Sequence, residues 1–299
     1  NNLGVLLQQA QGRLKEAEAS YSQAITLKPD YAEAHYNLGV MLQELGRLDE
    51  AEASYSQAIT LKPDYAGAHN NLGVMLQELG RLNEAEVSYS QAIILKPDNA
   101  EAHYNLGVTL KEQSRLEEAE TSYRKAIELK PDFAKAHTNL GAALKETGRL
   151  EEAETSYRKA ITLKPDLAEA HYNLGVTLKE MGRLEEAEAS YRKAIELKPD
   201  FVKVHNNLGN TLKDQGRLEE AEASYRKAIE LKPDFVKVHN NLGNTLKDQG
   251  RLEEAEKSYR KAIELKPGYT IAWNNLYFSL QTMKLQTSSI ESHLPLLDE

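Results

Sequence analysis

A lysine–proline pair returns every 34 residues, at Pro29, Pro63, Pro97, Pro131, Pro165, Pro199, Pro233 and Pro267. A chain punctuated at so fixed an interval is built from copies of one small unit. A single unit of that size cannot bury its own apolar side, so the copies must stack on one another. The stretches 201–234 and 235–268 differ only at Ala223/Lys257 and Asp234/Gly268, which points to recent duplication. Length alone would allow two ordinary globular domains in 299 residues; the period is the stronger constraint.

The unit from Ala32 to Tyr65 reads as two helices. Asp30 and Glu33 have the spacing of a capping box, with Asp30 expected as N-cap. Leu38, Leu42 and Leu45 follow at i, i+4, i+7 as an apolar stripe. Gly46 suits the left-handed residue that closes a helix. Asp49 and Glu50 favour the positive end of a second helix. Ala51, Tyr55, Ala58 and Ile59 are its expected buried stripe, and Pro63 stops it. Gly39 falls inside the first helix, where glycine costs about 1 kcal/mol relative to alanine. It recurs as Gly73, Gly107, Gly141, Gly175, Gly209 and Gly243. So regular a cost implies a steric need, a close contact that any Cβ would obstruct.

Asn-Leu-Gly, Gly-Arg-Leu, Ala-Glu-x-Ser-Tyr and Ala-Ile-x-Leu-Lys-Pro in this order resemble the tetratricopeptide repeat over nearly the whole chain. The resemblance implies an all-α fold: a right-handed superhelical solenoid of antiparallel helix pairs, with first helices on the concave side. One departure is systematic. The family's early Trp is His35, His69, His103, His137, His171, His205 and His239, and only Trp273 restores it. Residues 1–280 are expected to form the solenoid, about eight full or near-full repeats with a partial ninth. The first repeat lacks the start of its first helix, and with no initial Met the chain is expected to be a piece of a longer protein. Residues 281–299 are expected to be a cap or the start of a linker, with Ser288 or Ser289 capping a short helix that Pro295 ends.

Glu33, Asn37, Val40 and Glu44 share one helix face. The second place is always asparagine: Asn37, Asn71, Asn105, Asn139, Asn173, Asn207, Asn241 and Asn275, with Asn2 aligned to them. A carboxamide both donates and accepts, so a row of them can bond an extended peptide without reading its side chains. Alternatively each asparagine bonds its neighbouring helix and keeps the repeats in register. The row is similar to the Asn-Leu-Gly tetratricopeptide region of the O-GlcNAc transferase family, and the resemblance implies that groove asparagines hold extended peptide. The surface beside the row changes along the chain. Early repeats carry Glu33, Tyr36, Val40, Glu44, Tyr104, Val108 and Glu112; late ones carry Lys203, Asn206, Asn210, Lys213, Lys237, Asn240, Asn244 and Lys247. Residues 32–65 hold two basic and six acidic residues, net −4, and residues 236–269 hold seven and five, net +2. A bound segment is therefore expected to be basic near the first repeats and acidic near the last. The carboxylate clamp of chaperone-binding tetratricopeptide domains is not matched: Lys203 and Lys237 each precede an asparagine at the right spacing, but no Arg completes the set.

No catalytic residues, metal ligands or cofactors are expected. The histidines are 34 residues apart, so neighbours stand roughly 10 Å from each other, too far to share a zinc ion bound at about 2 Å. No phosphate-binding loop, nucleophile elbow or His-Glu-x-x-His occurs. A net charge of −9 without a basic cluster argues against nucleic acid. No apolar run reaches the roughly 20 residues of a membrane span. The absence of cysteine fits a cytoplasmic protein. The expected function is a protein-interaction scaffold binding an extended peptide or partner protein, in which Asn37, Asn71, Asn105, Asn139, Asn173, Asn207, Asn241, Lys203, Lys237, Asn210 and Asn244 make contact. Two other readings fit the sequence: the substrate-recognition arm of a larger transferase, and a solenoid that self-associates end to end. Tyr277 and Phe278 count against the last by spoiling the final stacking face.

Overall fold

The computed structural model describes residues 14–293, so Asn2, the start of the first repeat and Pro295 lie outside the described residues. The chain divides into two compact units, residues 1–163 and 164–299. The described part of the first unit holds nine helices: α1 (Leu14–Leu27), α2 (Ala32–Glu44), α3 (Leu48–Leu61), α4 (Ala66–Glu78), α5 (Leu82–Leu95), α6 (Ala100–Glu112), α7 (Leu116–Leu129), α8 (Ala134–Glu146) and α9 (Leu150–Leu163). That of the second holds seven: α10 (Ala168–Glu180), α11 (Leu184–Leu197), α12 (Val202–Asp214), α13 (Leu218–Leu231), α14 (Val236–Asp248), α15 (Leu252–Leu265) and α16 (Thr270–His293). No strand occurs among the described residues.

Two turn chemistries set the period. After α2, Gly46 adopts φ +72°. Its N–H donates to the Gln43 carbonyl and the Arg47 N–H to the Leu42 carbonyl, both at 2.9 Å, the double bond of a Schellman closure. After α3, Lys62 is drawn out to φ −141°, as suits a residue before proline, and the Tyr65 N–H closes a turn on the Lys62 carbonyl at 3.1 Å. Asp30 is not the N-cap of α2; Tyr31 holds that place and makes no side-chain bond to the helix end. Asn99 does cap α6, accepting from the N–H groups of Glu101 and Ala102 at 3.2 Å. At the equivalent place the other repeats have Tyr, Phe or Leu, which lack a suitable side-chain acceptor.

Within each unit every helix packs on its chain neighbours, and successive first helices also touch one another: α2 on α4, α4 on α6, α6 on α8, then α10 on α12, α12 on α14 and α14 on α16. Ala51, Tyr55 and Ala58 are fully buried, as are their counterparts in the later second helices. The glycine of Asn-Leu-Gly faces that tyrosine ring: a Cβ on Gly39 would stand 2.8 Å from Tyr55 Cδ1. The expected stripe holds at Leu42 but not at Leu45, which is 39% exposed at the helix end, and Ile59 is only half-buried. No break falls at Ser288 or Ser289. Helix α16 runs on to His293 because Lys284 stands where the Gly-Arg-Leu turn has its glycine, and without the glycine nothing closes the helix.

Candidate functional site

The asparagines of Asn-Leu-Gly stand half-buried on the first helices, on the side where successive first helices meet. Six of them use the amide nitrogen across the repeat boundary, on the residue that precedes the previous repeat's asparagine. In the first unit Asn71 Nδ2 donates to the Tyr36 hydroxyl (3.0 Å), Asn105 to Asn70 Oδ1 (3.3 Å) and Asn139 to the Tyr104 hydroxyl (3.0 Å). In the second, Asn207 donates to the Tyr172 hydroxyl (3.3 Å), Asn241 to Asn206 Oδ1 (3.0 Å) and Asn275 to Asn240 Oδ1 (2.9 Å). The register bond weighed in the sequence therefore exists. Its acceptor was not foreseen, although the sequence carries the signal: the residue before each of these asparagines is an oxygen bearer (Tyr, Asn or Thr). Asn37 and Asn173 hold the same half-buried place.

Each register bond uses one N–H of an NH₂ group. The Oδ1 atoms of Asn105, Asn139 and Asn241 accept no hydrogen bond within the described residues, whereas Asn71 and Asn207 accept from Asn70 and Asn206. Asn210 and Asn244 are turned inward. Their Oδ1 atoms accept from the buried hydroxyls of Tyr225 (2.8 Å) and Tyr259 (2.9 Å), and Asn210 also receives Asn241 Nδ2 at 3.2 Å. In the first unit the corresponding hydroxyls of Tyr55 and Tyr89 are met by Gln43 and Gln77. Burial pushes all four phenols above the ordinary range.

The charges beside the row are partly tied between repeats. Gln43 donates to Glu78 and Gln77 to Glu112, while Lys111 pairs with Glu146, Lys179 with Asp214 and Lys213 with Asp248. Lys203 and Lys237 are exposed at the other end of their helices. They share the rim of one cavity of about 620 Å³ with Lys232, Lys266, Phe235 and Tyr269. In the first unit a cavity of about 340 Å³ at the opposite, C-terminal ends of α2 and α4 is bordered by Glu44, Glu78 and Asn71.

The periodic histidines have a structural task. Nε2 of His35, His69, His103, His137, His171, His205 and His239 lies 2.8–3.1 Å from the carbonyl of the proline six residues earlier. A carbonyl can only accept, so Nε2 carries the proton. Trp273 makes the same bond to Pro267 at 2.9 Å, so histidine does the tryptophan's polar work in these repeats. Among the described residues no His, Cys, Asp or Glu group could hold a metal ion, and no helix is long and apolar enough to cross a membrane.

The arginine of Gly-Arg-Leu was given no role in the sequence, yet it clasps the repeats together. Arg81 pairs with Glu52 of the preceding repeat (2.7 Å) and with Glu84 of its own (2.6 Å). Arg47, Arg115, Arg149, Arg217 and Arg251 do likewise. The signal was a glutamate 29 residues before each arginine and another three after it.

A family model described as the cilia and flagella-associated protein 70 C-terminal domain, itself a tetratricopeptide model, matches residues 6–200, and tetratricopeptide repeat models match 190–223, 209–250 and 236–269. The chain belongs to the tetratricopeptide repeat family. Among solved tetratricopeptide-like structures it is similar to YrrB, described as a TPR protein with an unusual peptide-binding site: 25% identity, TM-score 0.54, covering 62% of this chain and 96% of that one. It is similar to PilF of Pseudomonas aeruginosa at 22% identity and TM-score 0.63, over 70% of this chain and 95% of that one. With a chain of the APC/C hetero-tetramer Cut9–Hcn1 it shares 14% identity at TM-score 0.66, over 89% of this chain and 52% of the other. The last two likenesses show the fold alone. No curated protein matches the chain.

Proposed function

We propose that this tetratricopeptide chain is a non-catalytic protein-interaction scaffold, cytoplasmic in setting, that holds an extended peptide or partner segment against the asparagine-lined face of its first helices. The observation that carries this reading is the divided use of the amides. At Asn105 and Asn139 one N–H keeps the register while the second N–H and the oxygen are left for a ligand on a half-exposed side chain, and at Asn241, whose two N–H groups are both engaged, the oxygen is left. Repeats stacked at a fixed interval set these groups in a series, which suits the regular donors and acceptors of an extended backbone. YrrB, a similar structure described by its peptide-binding site, supports the assignment, as does the likeness of the row to the groove asparagines of O-GlcNAc transferase. Asn37, Asn71, Asn105, Asn139, Asn173, Asn207 and Asn241 are the proposed contacts, with Lys203 and Lys237 beside them. Asn210 and Asn244 have their oxygens engaged by tyrosines and contribute only N–H groups.

The test separates the two uses of the amide. Asn105→Ala with Asn139→Ala removes both register and ligand contacts. Tyr104→Phe removes the acceptor of Asn139 and leaves the amide in place. Peptides selected from a library on the intact chain should bind the double alanine variant at least tenfold more weakly, and the Tyr104→Phe variant nearly as well as the parent, in both cases below the melting transition. Equal affinity for the parent and the double alanine variant would reject the proposal.

A further inference from the structure

At the start of α2, Glu33 forms an ion pair with Lys62, the last residue before proline in the same repeat, at 3.2 Å. The two are 29 residues apart. In the second unit that register holds Lys203 with Lys232, and again Lys237 with Lys266, so an attractive pair has become two pairs of like charges. None of these four lysines has an ion-pair partner among the described residues, although Lys179, Lys193, Lys213, Lys227 and Lys261 of the same unit all do. The fold does not require the lysines, since α2 and α3 build the same helix pair with a glutamate in that place. What the reversal adds is positive charge without a counterion, and all four side chains border the cavity of about 620 Å³. Only one acid, Asp234, shares that border. Phe235 and Tyr269 supply apolar surface, and Asn206 and Asn207 supply amides.

We infer that this four-lysine basin binds an acidic peptide segment, with closely spaced carboxylates between Lys203, Lys232, Lys237 and Lys266 and a flanking apolar side chain against Phe235. The inference rests on the peptide reading above and adds the chemistry of the ligand at one place. A peptide is favoured over nucleic acid because the chain as a whole carries −9, which repels a long polyanion beyond the basin, and because amides for a peptide backbone adjoin the lysines. The basin also differs from a clamp for a terminal carboxylate: half of its charge comes from the ends of the second helices, so it takes side-chain carboxylates from within a segment.

The experiment restores the first unit's arrangement. Lys203→Glu with Lys237→Glu places an acid opposite Lys232 and Lys266 and recreates the Glu33–Lys62 pair twice, so the fold is kept. Fluorescence anisotropy on the full chain compares a peptide rich in glutamate with the same peptide carrying glutamine instead, at low and high salt. The parent should bind the glutamate peptide at least tenfold more tightly, with the advantage shrinking as salt rises. The double variant should lose that advantage while its melting temperature holds or rises. Equal binding of the two peptides by the parent, or an advantage that survives in the double variant, overturns this inference and leaves the peptide-scaffold reading standing. Failure of both peptides to bind overturns both, and a preference for single-stranded RNA over the acidic peptide overturns the ligand class.

Discussion

A Cβ placed on Gly243 would lie 2.5 Å from Cε1 of Tyr259, and the same near-collision recurs at 2.6–2.8 Å between each earlier glycine of the series and its own tyrosine. The ring belongs to a fully buried residue and cannot swing away. Gly243→Ala should therefore destabilise the chain by about 1–3 kcal/mol of overpacking, offset in part by roughly 1 kcal/mol of helix propensity. Chemical denaturation measures the net loss. Tyr259→Leu in the same chain should make the alanine cheaper than it is alone, and additive effects would show that the two residues do not meet.

Ser114 takes φ +63° where six other repeats have glycine. A side chain in that conformation costs on the order of 1 kcal/mol, and nothing crowds the equivalent glycines. Ser114→Gly should raise stability by about that amount, seen as a higher denaturation midpoint with unchanged slope. The same serine placed at Gly148 should lower it.

The buried hydroxyls of Tyr123 and Tyr191 have no hydrogen-bond partner among the described residues. The reason is visible in sequence: their repeats have Lys111 and Lys179 where Gln43 and Gln77 accept, and Val108 and Val176 where Asn210 and Asn244 accept. Tyr123→Phe should be neutral or stabilising, whereas Tyr225→Phe should cost roughly 1 kcal/mol because it strands Asn210 Oδ1. Val108→Asn should reverse the sign at Tyr123. Thermal melts of the three single variants and of Val108→Asn combined with Tyr123→Phe compare them directly.

Glu120, Glu188 and Glu222 titrate below the ordinary carboxylate value of 4.5. Partial burial pushes each upward, but two arginine partners outweigh it. A carboxyl whose folded value is depressed adds stability that is complete above its unfolded value and is lost as pH falls through the folded one. The melting temperature should hold near neutrality and fall once pH drops below about 4.5. Arg149→Ala, which removes one partner of Glu120, should flatten that acid limb. An acid limb unchanged in the variant would show that the clasp does not carry the pH dependence.

The repeat, the two helices and the closing glycines were legible because each depends on local chemistry: proline ends a helix, a left-handed turn needs glycine, and a tyrosine against an α-carbon needs no Cβ in between. The cap at Asp30 was misread because a capping box and a proline turn share the same residues, and the turn holds Asp30 outside the helix. The asparagine row was legible as a row. Its division between register and groove was not, because the acceptor lies 35 residues back and is Tyr36 in one repeat, Asn70 in the next. Asn210 and Asn244 looked like surface polar residues, and only packing shows that they complete a tyrosine below. The like-charged lysine pairs were hidden for a similar reason: their partners join only when the two helices of one repeat fold together.

Tyr277 occupies the register that is glycine in every earlier described first helix, and its ring is exposed beside Phe278. The hollow that elsewhere admits a tyrosine from the second helix is thus plugged by the helix's own side chain. A standard second helix set on α16 would bring its tyrosine ring against the Tyr277 side chain, where every earlier described pair offers a bare α-carbon. A single substitution at one register position so withdraws the bare α-carbon on which each earlier ring rests.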